Sequence, residues 1–223
     1  MEQLLNDGSE DALVGLMKRF TITSAKSIED EEEKGWVYRQ LTDLGRGGKS
    51  DAAATAQQSS EQYRVRLLSA AKRFCLEHEN IAWVLRVVEE LANAREEWEL
   101  IDALLARHPP GYERDPAKKI QLLTHVSEID DKRVPDILIR YLEDPDEGVR
   151  FFVVEALVDL ADERALEPLV QRLANAREDS LRVRTRVLDG LASLGWDVSA
   201  HKAVVVANLG HEHSFDGKKL VRR

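Results

Sequence analysis

The sequence predicts an all-α protein, a right-handed α-solenoid of about five helical hairpins. Three observations carry this expectation. Charged residues make up 33% of the chain, above the usual quarter, while aromatics are few, which suits helices with one wet face. Apolar residues recur at steps of three and four along segment after segment. A unit of two such segments also repeats with a period of 31 to 34 residues, the mark of a stacked-repeat protein.

The hairpins are expected at roughly 9–44, 60–93, 95–129, 132–161 and 164–195. In the first, Glu29, Asp30, Glu31, Glu32 and Glu33 open the second helix. Negative charge there suits the helix dipole, and Asp30 and Lys34 stand one turn apart as partners. A small, polar, Gly-rich stretch over about 45–60 predicts a flexible insertion. The second hairpin follows with a helix from about Glu61 to His78 and an apolar stripe over Ile81–Ala92. The third has stripes over Trp98–Leu105 and Ile120–Ile129, joined by a Pro-rich loop, His108–Ala117. Within that loop Asp115 is placed to cap the next helix, with Pro116 at its first position.

The fourth hairpin is the clearest. Val149, Phe152, Val153, Ala156, Leu157, Leu160 and Ala161 form a broad stripe, Asp146 is placed to cap the first turn, and Pro145 forces the chain out of the previous helix. Asp131–Leu142 lines up with Asp162–Leu173 at an offset of 31 residues, and Val149 and Arg150 line up with Val183 and Arg184 at an offset of 34. Val126 and Ile129 stand 31 residues before Leu157 and Leu160, which extends the pattern one unit upstream. The solenoid is therefore expected over 1–197, strongest over 118–197. Residues 198–223 are expected to form a cap around Lys202–Leu209 and then a basic tail ending in Lys218, Lys219, Arg222 and Arg223.

The stretch Leu142–Arg150, with Glu155, Ala156 and Leu157 and then Ala161–Leu169, resembles the HEAT repeat, in particular the short variant of phycobilisome-lyase-type proteins of bacterial type. The resemblance implies that Asp146 caps the second helix of its hairpin. It also implies that Arg150 and Arg184, one per repeat, are ladder residues bridging to acidic or carbonyl groups of a neighbouring hairpin.

Motifs that would carry chemistry fail one after another. Gly48, Lys49 and Ser50 resemble the end of a phosphate-binding loop, but the required earlier glycine is Asp43. His211 and His213 are two ligands in a tail, and His78 with Glu79 is remote from them. Similarity to HEAT-type deoxyhypusine hydroxylases would require His-Glu pairs on successive repeats, where this chain has Glu155 with Ala156 and Asp189 with Gly190. His125 falls on the core side of its helix. Cys75 is the only cysteine and lies beside an apolar stripe, so it reads as a small buried hydrophobe. No cofactor, metal or catalytic group is assigned.

The net charge of −9 is concentrated in residues 120–197, whereas 198–223 is net positive. An acidic body repels nucleic acid, against a reading similar to HEAT-like DNA glycosylases. A tetrapyrrole lyase-like or chaperone role rests on the repeat subtype alone. No apolar run approaches the length that spans a bilayer, and Met1–Gly8 lacks the layout of a signal peptide. The expected function is a cytoplasmic, non-catalytic scaffold that binds a protein partner. The residues expected to touch that partner are Tyr112 and Arg114 in the Pro-rich loop, Lys118 and Lys119 behind it, and Arg182 and Arg186 on a helix two repeats later.

Overall fold

The computed structural model describes residues 1–24, 27–47 and 60–223. The expected insertion falls largely outside the described residues, as do Gly48, Lys49 and Ser50. Two compact units divide the chain, Met1–Arg107 and His108–Arg223. The division falls inside the hairpin expected at 95–129, which gives one helix to each unit.

The first unit contains α1 (Glu2–Asp7), α2 (Glu10–Met17), α3 (Ser27–Gly45), α4 (Ser60–Glu77), α5 (Ala82–Leu91) and α6 (Ala94–Arg107). First helices of the hairpins pack in one row, α2 on α4 and α4 on α6, while second helices pack in another, α3 on α5. Ser9 opens α2 by accepting a hydrogen bond from the Ala12 N–H. Leu13, Met17, Phe20, Leu41, Leu67, Phe74 and Ile101 are fully buried between the rows. Phe20 stacks on Trp83 at 5.6 Å between ring centroids.

The second unit contains α7 (Ala117–Glu128), α8 (Val134–Tyr141), α9 (Glu147–Leu160), α10 (Leu166–Ala174), α11 (Leu181–Leu194), α12 (Lys202–Ala207), β1 (His213–Phe215) and β2 (Leu220–Arg222). Here α7, α9 and α11 form the row of second helices, and α10 packs on α12 in the row of first helices. Asp146 and Ser180 cap α9 and α11 by accepting from the N–H groups of Val149 and Val183, at 3.0 and 3.2 Å. Gly190 lets α9 and α11 come close, because a Cβ at that position would run into the Val158 side chain.

The C-terminal segment corrects the expectation of a tail. Residues 213–222 form an antiparallel hairpin, Ser214 opposite Val221, whose second strand packs on α11. The hairpin takes the place that a further second helix would fill. Leu220 and His213 are buried beneath it, and His213 Nε2 lies 3.0 Å from Asp189 on α11. Buried apolar and polar contacts at fixed positions hold these residues down, a pattern that net positive composition does not reveal.

Candidate interaction surface

The loops that lead into α7, α9 and α11 are held by one repeated device. At the start of each second helix stands a cation that reaches its own loop and the equivalent loop of the next repeat. Lys119 on α7 donates to the Gly111 carbonyl and to Asp144, both at 2.8 Å. Arg150 on α9 donates to the carbonyls of Asp144 and Pro145 and to both oxygens of Glu178, all at 2.8–2.9 Å. Arg184 on α11 donates to the Glu178 and Asn175 carbonyls and, at 3.2 Å, to Asn208 beyond α12. The acceptors form a second series, Asp144, Glu178 and Asn208. The first two rungs are buried ion pairs, which strengthens the charge–charge attraction and makes a missing partner costly, whereas the third is half-buried and ends on a neutral acceptor.

Lys119 is the residue that sequence reasoning misplaced. It was expected at the surface with Lys118, yet Lys119 is 0% and Lys118 4% exposed. The signal was available: the 31-residue register that puts Val126 on Leu157 also puts Lys119 on Arg150. A lysine at the start of a helix after a Pro-rich loop reads as a wet residue until that register is applied.

The electrostatics of the second rung are set by several competing causes. Burial alone raises the Glu178 carboxyl pKa. Hydrogen bonds from Arg150 and the Ser180 N–H, with Arg172 nearby, outweigh burial and hold it below the ordinary carboxylate value. Arg172 also donates to the Leu142 carbonyl at 2.9 Å.

Around the first rung the Pro-rich loop is fixed at several points. Gly111 both donates its N–H to Asp144 and accepts from Lys119. Glu113 lies 3.4 Å from the Lys119 ammonium and 3.2 Å from His108 Nδ1. Tyr141 donates its hydroxyl to the His108 carbonyl, and burial pushes that phenol up to about 12. Between Gly111 and Glu113, Tyr112 stands 86% exposed, with Arg114 also exposed.

The other expected contact residues are more engaged. Arg182 lies over Phe151, 3.6 Å from the ring centroid, and 3.7 Å from Glu147. Arg186 is half-buried and 3.4 Å from Glu155. Both therefore tie α11 to α9, and neither is an unpaired anion-binding residue. Beside Arg182, Leu181 is 76% exposed, an anchor type of residue that the sequence reading passed over because it lies off the stripe. Among the described residues no group of three His, Cys, Asp or Glu side chains is placed to hold a metal, and no helix is long and apolar enough to cross a membrane.

A search of curated proteins gives no match. Residues 99–192 match the family model for HEAT repeats, the span that contains all three cation-bearing helix starts and their loops. The ladder and the hairpin period agree with that match, and over this span the chain is similar to HEAT repeats.

Proposed function

We propose that the protein is a non-catalytic scaffold that binds a protein partner along the loop edge of its second unit. The observation that carries this reading is the treatment of Tyr112. A fully buried ion pair, Lys119 with Asp144, fixes the backbone beside it while the ring itself is left in water. An exposed aromatic on a backbone already fixed loses little conformational freedom on docking, which favours affinity. Tyrosine and arginine are also over-represented among residues that dominate binding energy. Leu181 and Arg182, at the start of α11, belong to the same loop edge and extend the surface across two repeats. The lone, buried Cys75 fits a reducing, cytoplasmic setting, and the short repeat period keeps the reading with phycobilisome-lyase-type repeats of bacterial type.

The test compares recovery of partners from a native lysate by the wild-type protein and by the double variant Tyr112→Ala, Arg182→Glu. The variant is expected to lose the specific partner while its melting temperature falls only slightly, since Tyr112 stands in water and the contacts of Arg182 with Phe151 and Glu147 are made by an exposed side chain. Full recovery by the double variant removes the assignment of this edge.

A further inference from the structure

We infer that the partner of the loop edge is a small domain whose groove of aromatic side chains takes a proline ring and a tyrosine ring, and that Pro109–Tyr112 is the segment it grips. The order Pro109, Pro110, Gly111, Tyr112 occurs once in the chain, so single variants can test it. Each proline fixes its own φ at about −65° and holds the residue before it out of the helical region. Rigid rings on a backbone with few remaining conformations are what aromatic-lined grooves recognise, because little freedom is lost on docking.

The loop separates the groups that hold it from the groups it leaves open. His108 accepts the Tyr141 hydroxyl at 2.8 Å, and Gly111 donates its N–H to Asp144 at 3.2 Å while its carbonyl accepts from Lys119 at 2.8 Å. The chain bends at Pro110 and Gly111, and both are half-buried. Pro109 is exposed, and Tyr112 is 86% exposed. Proline has no N–H, so the only backbone group that Pro109 and Pro110 present is the carbonyl. Among the described residues neither carbonyl takes a hydrogen bond. An exposed proline ring, two open carbonyls and an exposed phenol are matched by a groove that offers aromatic faces to the rings and an N–H or O–H donor to a carbonyl.

The last position of the stretch selects among such grooves. A groove of the SH3 type seats a proline at both ends of four residues, and here the second end is Tyr112. A groove with one slot for proline and an adjoining slot for tyrosine, of the WW type, fits this order. Charge does not make the choice, since Arg114 and Asp115 follow with opposite signs and both are exposed. The inference rests on the loop-edge reading but uses less of that edge, because Leu181 and Arg182 lie outside the four residues.

The experiment titrates the purified full-length chain, by calorimetry, with a WW domain that binds Pro-Pro-x-Tyr peptides and separately with an SH3 domain. The chain is expected to bind the first and not the second. Pro109→Ala and Tyr112→Ala are each expected to weaken binding at least about tenfold, the loss typical of an anchor residue. Arg182→Glu is expected to bind as the wild type does, and a synthetic peptide of residues 106–115 to compete with the chain. Binding of that peptide but not of the chain overturns the inference, since the folded loop would then withhold the motif. Binding that survives Tyr112→Ala, that is lost in Arg182→Glu, or that favours the SH3 domain overturns it as well. If the chain ignores the WW domain while Tyr112→Ala with Arg182→Glu still loses its partner in a lysate, the kind of partner is overturned and the loop edge stands.

Discussion

The two units build the same kind of paired rows and join their second helices by different chemistry. In the second, successive helices α7, α9 and α11 are connected by two buried cations, Lys119 and Arg150, that reach from one loop to the next. In the first, α5 meets α3 and the turn before it through rings: Trp83 stacks on Phe20 and lies 6.0 Å from Tyr38, and Arg86 lies over both Tyr38 and Trp83. A paired charge demands a partner at a fixed place, so the ionic unit repeats its residues in register. Ring contacts tolerate offset and tilt, so the aromatic unit keeps the architecture with little repetition of sequence. The difference shows that one backbone arrangement can be held either by a periodic device or by a one-off packing solution.

The largest effect that would break this contrast is expected at the second rung. Arg150→Ala leaves Glu178 buried with Arg172 as its remaining cation, and the loss is expected at about 3–5 kcal/mol in urea unfolding of the full chain. Near-wild-type stability would mean that the ladder is incidental. The same variant removes the hydrogen bond that lowers the Glu178 pKa. In the wild type that lowered value contributes stability that is present above the unfolded carboxylate range, about 4.3, and is lost as the pH falls through the folded value. Acid unfolding of Arg150→Ala is therefore expected to begin at higher pH, which a pH series followed by circular dichroism would register.

Leu157→Ala, at a fully buried position on α9, is expected to cost about 2–5 kcal/mol, the usual range for a truncated core leucine. It measures the apolar share of the same interface. In the first unit, Trp83→Leu removes the ring stack while keeping an apolar side chain. Its specific loss is expected at about 0.5–1.5 kcal/mol beyond lost burial, and insensitive to salt. A steep salt dependence would show that Arg86 and its surroundings matter more than the stack. Smallest of all, Asn208→Asp would give Arg184 a charged acceptor at the third rung. The gain is expected below about 1 kcal/mol and should shrink as salt is added, since this rung is only half-buried.

Much of the second unit was legible because its helices carry strong stripes and its repeats share a register. Asp146, Arg150 and Arg184 could be picked out as a set, and the register contained Lys119 as well, although its position after a Pro-rich loop disguised it. The carboxylate partners were harder to see. Glu178 sits three residues later in its loop than a strict 31-residue offset allows, because the second turn is longer, and Asn208 carries no charge to attract notice. The C-terminal hairpin was illegible for another reason. Its strands span three residues each, too short for alternation to register, and what holds them is tertiary: Leu220 and His213 against α11.

The third rung has a consequence for how such a chain can lengthen. Each loop offers an acceptor to the cation behind it, and each helix start offers a cation to the loop ahead. A duplicated copy of residues 162–195 inserted after Gly195 would find its Glu178 equivalent in front of Arg184, while its own terminal arginine met Asn208. Every cation would keep an acceptor, and the strand hairpin would still close the row. The repeat is thus a modular unit with matched connectors, and Asn208 is the fixed acceptor that the terminal arginine meets whatever the number of modules before it.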